Sequence, residues 1–201
     1  MELTVLHFFQ SIRSETLDAA VLFFSSLGNL GGIWIAMAAG LLLLPAYRRA
    51  GLCVSAALAI DFVSVNLILK PLFGRERPCE LFQAQDMILA CLSDHSFPSG
   101  HTAAAFAAAT ALFLCRKKAG AAALVFAFLM GLSRLYLFVH FPTDVLAGAA
   151  IGVAIGVFAF ELLHLKRGLT SGEKNRPPPA GSDLPQSYCR RRKTQPPSSS
   201  S

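Results

Sequence analysis

The run SFPSGHTAAAFAAATALFLC, Ser96–Cys115, decides how this chain is read. It opens with proline, serine, glycine and histidine in close succession and continues as an apolar, alanine-rich stretch. Thr102–Cys115 alone falls short of the roughly 20 residues that a membrane span requires. It approaches that length only if the helix starts near Ser99, which places the polar turn at the membrane boundary. Proline and glycine shape the turn. The first amides of the helix lack intrahelical partners, and together with the helix dipole they favour a bound anion. Ser99 can cap the helix or bond a phosphate oxygen, Gly100 allows close backbone approach, and His101 projects beside whatever anion sits there. A capping role accounts for Ser99 and Gly100, but it does not ask for a histidine.

The surrounding chain sets the solvent. Of 201 residues, 54% are hydrophobic and 15% charged, with a mean hydropathy of +0.52, which excludes an ordinary water-soluble domain. Five apolar stretches qualify as spans: Gly28–Leu44, Gly51–Leu69, Thr102–Cys115, Gly120–Val139 and Val145–Leu165. The expected fold is all-α, a polytopic membrane helical bundle of about five transmembrane helices. Arg48 and Arg49, Arg116–Lys118, and Lys166 with Arg167 follow alternate spans, which puts them on the cytoplasmic face. The opposite, extracytoplasmic face also carries basic residues, against the usual bias, and this suggests a functional anion site there. Residues 1–27 carry Arg13, Glu15 and Asp18 among apolar residues and fit an amphipathic interfacial helix, with a sixth span as the competing reading. Residues 28–168 form the membrane-embedded domain. Residues 169–201, rich in Pro and Ser, read as a disordered cytoplasmic tail. No nucleic-acid partner is expected.

Three polar clusters fall at the extracytoplasmic ends of these spans. In KPLFGRERP, glycine and two prolines bend the segment so that Lys70 and Arg77 can converge on one oxyanion. The turn Pro98–His101 is the second cluster. In SRLYLFVHFPTD, Arg134 is an expensive cation unless an anion is present, and Pro142 breaks the helix just after His140. Asp144 is then able to reach one imidazole nitrogen of His140, fixing the tautomer and leaving the other nitrogen free to attack. Together the clusters supply three cations, helix-start amides, two histidines and a carboxylate, an inventory suited to phosphoryl transfer. No Cys, His and carboxylate group has metal-site spacing, so no metal or other cofactor is expected. Cys79 and Cys91 share the outer segment and either form a disulfide or remain free thiols. Asp61 and Asn66 lie within the second span, where polar groups face a bundle interior or a cavity. Gly148, Gly152 and Gly156 form a stripe suited to close helix packing.

The ordered pattern K-x6-R-P, P-S-G-H and S-R-x5-H-x3-D resembles the three-part signature of the type-2 phosphatidic acid phosphatase superfamily, over roughly Leu17–Leu165. The resemblance implies that His140 attacks phosphorus to give a phosphohistidine, with Asp144 orienting it. It implies that His101 protonates the leaving group and that Lys70, Arg77 and Arg134, helped by Ser99 and Gly100, hold the phosphate oxygens. One neutral and one charged histidine imply a bell-shaped pH profile. The implied substrate is a membrane lipid phosphate at a site facing outward from a bacterial plasma membrane, with undecaprenyl pyrophosphate as first choice. Phosphatidic acid, phosphatidylglycerol phosphate and diacylglycerol pyrophosphate are the alternatives. The vanadium haloperoxidases share the signature but are soluble, and a membrane anion binder or transporter has no need of the His140 with Asp144 arrangement.

Overall fold

The computed structural model describes residues 2–82, 88–91 and 93–174, and the described elements are helical. One compact unit runs from Met1 to His164; the described part of a second, residues 165–174, is helical. The elements are α1 (Glu2–Ser11), α2 (Glu15–Ser26), a 3₁₀ turn (Asn29–Gly31), α3 (Gly32–Leu43) and α4 (Arg48–Asp61). A π-helical segment (Phe62–Leu69) follows, then α5 (Lys70–Phe73), α6 (Pro78–Phe82), α7 (Gly100–Cys115), α8 (Lys117–Tyr136) and α9 (Pro142–Lys174).

Among the described residues, three helical runs are long and apolar enough to cross a membrane: Arg48–Leu81, Lys117–Tyr136 and Pro142–Leu165. A fourth is counted if α2 and the helix after it, bent by 46°, form one broken span. The sequence count of five therefore exceeds the three to four helices that qualify. The difference has two physical causes. The backbone turns left-handed at Leu30 and Gly31, with φ of 53° and 71°, and cuts the first apolar run. α7 has 16 residues, about 24 Å at 1.5 Å per residue, against a hydrocarbon core of about 30 Å.

α7 is the central element because its side chains are small. Ala103, Ala105, Ala107, Ala108, Ala109 and Ala111 are fully buried. α9 lies against it through the glycine stripe. A Cβ added at Gly152 would sit 2.4 Å from the Ala103 carbonyl oxygen, and one at Gly156 would sit 2.8 Å from that of Ala107. Backbones this close gain dispersion contacts that larger side chains would forbid. On another side, Trp34, Cys53, Val54, Ala57 and Met130 join the α7 alanines in one core.

The first 27 residues, expected as one interfacial helix, are divided in two. They make two helices, the second capped by Ser14, whose Oγ accepts the Leu17 amide at 3.3 Å. Leu6 of α1 is fully buried against Leu135, Phe138 and Phe141 at the α8–α9 corner. Gln10 donates to the Tyr136 carbonyl at 3.0 Å, and Glu2 pairs with Arg75 at 3.0 Å. Polar groups that would be solvated on a free interfacial helix are spent here on contacts within the bundle. Of the expected tail, residues 169–174 continue α9 and the rest lies outside the described residues.

Candidate active site

A cavity of about 1000 Å³ opens where the three polar clusters meet, lined at its polar end by Lys70, Arg77, Asp94, Gly100, His101 and His140. Its other walls are mainly apolar, with Ile35, Ala38 and Leu42 from α3, Leu58 from α4, and Ala104 from α7. Asp61 at the end of α4 and Asn66 within the π-helical segment also line it, and Lys70 follows directly after that segment. That wider turn keeps residues four to five apart on one face, and π segments recur at functional sites.

His140 lies in the short link between α8 and α9 and is 1% exposed. Its Nε2 is 3.3 Å from Arg77 Nη1, and its Nδ1 is 3.4 Å from Ser96 Oγ. Asp144 Oδ2 is 3.7 Å from Nδ1, an ion-pair separation too long for a hydrogen bond. The expected direct contact between Asp144 and His140 is therefore replaced by a relay. Ser96 donates its one hydroxyl proton to Asp144 Oδ2 at 2.5 Å, so its oxygen is left to accept Nδ1–H from the imidazole. The Nε2 lone pair of His140 then faces the cavity. Burial, joined by the nearby charges of Arg77 and Arg134 and opposed by Asp144, pushes the His140 pKa down to about 3. The imidazole is neutral at pH 7. Asp144 is fixed in turn by the Phe141 amide at 2.9 Å and by Arg75 Nη1, which donates to Oδ1 at 2.6 Å.

Arg77, also 1% exposed, is aimed by two backbone acceptors. Nε donates to the Asp94 carbonyl at 2.8 Å and Nη1 to that of Val139, also at 2.8 Å. Its Nη2 donates to Asp94 Oδ1 at 2.6 Å, while Lys70 Nζ pairs with Asp94 Oδ2. Burial alone would push the Asp94 carboxyl up, but Lys70 and Arg77 outweigh it and hold the pKa at about 2. Gly100 starts α7 beside these cations; a Cβ there would lie 3.1 Å from Asn66 Oδ1 and 3.5 Å from Lys70 Nζ. His101 Nε2 is 3.1 Å from Asn29 Oδ1, which orients its ring at the cavity wall.

Besides Asp144, two more predicted residues stand behind the wall and not in it. Arg134 Nη1 donates to Ser25 Oγ at 2.5 Å, while its buried Nε and Nη2 have no hydrogen-bond partner among the described residues. Ser99 uses its hydroxyl on Thr102 Oγ1 at 3.0 Å and its amide on the Asp144 carbonyl at 3.1 Å, so it braces α7 against α9. Cys79 and Cys91 are joined by a disulfide. Sequence reasoning missed Ser96, Asp94, Arg75 and Asn29. Ser96 opens the quoted stretch and Arg75 sits inside the first cluster, but neither position has a spacing that announces its partner.

Residues 48–167 match the family model described as the PAP2 superfamily. The chain is 48% identical over 67 residues to a bacitracin transport permease protein, BcrC, of Bacillus licheniformis, covering 33% of each chain. It is 30% identical over 103 residues to the undecaprenyl-diphosphatase BcrC of Bacillus subtilis, covering 51% of this chain and 53% of that one. It thus spans a third to about half of the length of these curated relatives. Among solved structures, Aquifex aeolicus LpxE superposes with a TM-score of 0.69 at 30% identity, over 80% of this chain and 94% of that one. A transmembrane PAP2-type phosphatidylglycerolphosphate phosphatase of Bacillus subtilis superposes with a TM-score of 0.65 at 26% identity, over 80% and 83%. With its family model matched across α4 to α9 and its all-helical, membrane-capable fold shared with these structures, the chain belongs to the PAP2 superfamily.

Proposed function

We propose that this membrane protein is a lipid phosphate phosphatase that works through a phosphohistidine, with undecaprenyl pyrophosphate hydrolysed to undecaprenyl phosphate as the first-choice reaction. The observation that carries the reading is the buried His140, its Nε2 3.3 Å from the guanidinium of Arg77 in a cavity that continues as an apolar groove. A terminal phosphate entering the polar end meets Lys70 and Arg77, with the Gly100 backbone close by, while the hydrocarbon chain lies along α3 and α4. Nε2 attacks phosphorus, the bond to the leaving oxygen breaks, and His101 supplies the proton that oxygen needs. The Nδ1–H shared with Ser96 and Asp144 stabilises the positive charge that develops on the ring. Water then attacks the phosphohistidine, giving its proton to His101, and inorganic phosphate leaves. Arg134 adds positive charge from behind His140, and Ser99 holds the start of α7 in place. The active site faces the extracytoplasmic side and the C-terminal tail the cytoplasm.

The name of the Bacillus subtilis undecaprenyl-diphosphatase supports the first choice. The phosphatidylglycerolphosphate phosphatase among the structural relatives supports a glycerolipid monophosphate as the second, because a phosphate clamp does not read the tail. Phosphate release from the purified chain in detergent, measured across undecaprenyl pyrophosphate, phosphatidylglycerol phosphate, phosphatidic acid and diacylglycerol pyrophosphate, tests the reading. Turnover of undecaprenyl pyrophosphate in preference to the monophosphates is expected, and its loss with His140→Ala. A preference for monophosphates overturns the first choice. Release at the parental rate by the variant overturns the mechanism.

A further inference from the structure

The two cations best placed to hold phosphate already hold an anion from the chain itself. Asp94 presents one carboxylate oxygen to Arg77 Nη2 at 2.6 Å and the other to Lys70 Nζ. Lys70 and Arg77 are buried, with side-chain exposures of 9% and 1%, whereas the Asp94 side chain is 50% exposed. The carboxylate therefore stands between the cations and the open side, where it can swing away. Arg77 does not depend on it for orientation, because the Asp94 and Val139 carbonyls fix its Nε and Nη1.

We propose that Asp94 is a built-in competitor, which occupies the phosphate-binding cations and so raises the affinity an anion needs to enter, keeping the phosphodiester head groups of the surrounding bilayer out of the site. The proposal rests on the phosphatase reading of Lys70 and Arg77. A binding site available only in a fraction of molecules shows an affinity reduced by that fraction. The carboxylate thus weakens every incoming anion by the same factor. A phosphodiester carries a single charge and gains little from displacing another single charge. A terminal phosphate carries about −1.5 to −2 at pH 7 and has oxygens for both cations at once. The common penalty leaves it bound and drops the more abundant diesters below useful occupancy. Asp94 remains ionised throughout the neutral range because Lys70 and Arg77 hold its pKa at about 2.

The experiment measures binding of inorganic phosphate and of diethyl phosphate to the full chain in detergent, for the parent, Asp94→Asn and Asp94→Ala. Both variants are expected to bind both anions about 10- to 100-fold more tightly, the range that a charge-assisted hydrogen bond supports. Hydrolysis by either variant should also become sensitive to added anionic phosphodiester lipid, while hydrolysis by the parent should not. Unchanged affinities overturn the proposal and leave the phosphatase reading standing. Weaker phosphate binding in both variants also overturns it, since Asp94 would then be orienting the cations. Failure of the parent and both variants to bind phosphate overturns this proposal and the assignment of the site together.

Discussion

A buried imidazole flanked by guanidinium groups holds a proton poorly, and the same surroundings make it available as a nucleophile. At His140, burial is the largest influence, Arg77 and Arg134 act in the same direction, and the carboxylate of Asp144 opposes them. The sign follows: the ring stays neutral as pH falls through the ordinary imidazole value of about 6.5 and protonates only near its depressed pKa of about 3. The acid limb of kcat/KM that belongs to this group is therefore expected well below pH 6.5. Asp144→Asn, which removes the opposing carboxylate, should carry it lower still. A limb that stays at pH 6.5 in both proteins contradicts the assignment. Ser96 is a positioning residue in the same relay. Ser96→Ala leaves Nδ1–H facing a carboxylate 3.7 Å away, and loss of orientation of this kind costs about 10²-fold in kcat. KM should be little changed, because Ser96 is not part of the cavity lining.

At the scale of the elements, the geometry of the proposed site depends on how closely α9 approaches α7. Asp144 rides on the first turn of α9, Ser99 and His101 on the start of α7, and the Ser99 amide bonds the Asp144 carbonyl at 3.1 Å. The glycine stripe sets that spacing. Gly152→Leu must force the helices apart, since even a Cβ meets the Ala103 carbonyl oxygen at 2.4 Å. The expected cost is about 1–3 kcal/mol or more, read as a lowered midpoint of thermal unfolding in detergent, together with reduced activity. Val153→Leu, one position further on and 40% exposed, should leave both unchanged. Equal behaviour of the two variants contradicts the packing account. The π-helical segment plays a comparable part for α4, because it brings Asp61, Asn66 and Lys70 to one wall.

Across the whole molecule, what could be read from sequence was whatever is encoded locally or by strong spacing. The apolar stretches, the helix start at Ser99–Gly100, and the three polar clusters containing Lys70, Arg77, His101, Arg134, His140 and Asp144 all announce themselves this way. The glycine stripe could be read too, since four-residue intervals place one face of a helix. The bonds that complete the site could not. Ser96 reaches Asp144 across 48 residues, Arg75 reaches it across 69, and Arg77 reaches Asp94 across 17. Each depends on how separate helices meet, and a single serine or aspartate in a turn carries no mark of such a meeting. The N-terminal pair of helices escaped for the same reason, because its polar residues are matched by partners far along the chain: Glu2 by Arg75 and Thr143, Asp18 by Tyr136. The central claim is that these dispersed pieces serve one nucleophilic nitrogen. Rapid quenching of the full chain during turnover of a lipid pyrophosphate labelled at its terminal phosphorus, followed by peptide mapping, tests it most directly. An acid-labile, base-stable phosphate on His140 is expected, absent in His140→Ala; label on another residue, or steady turnover with no labelled protein, would contradict it.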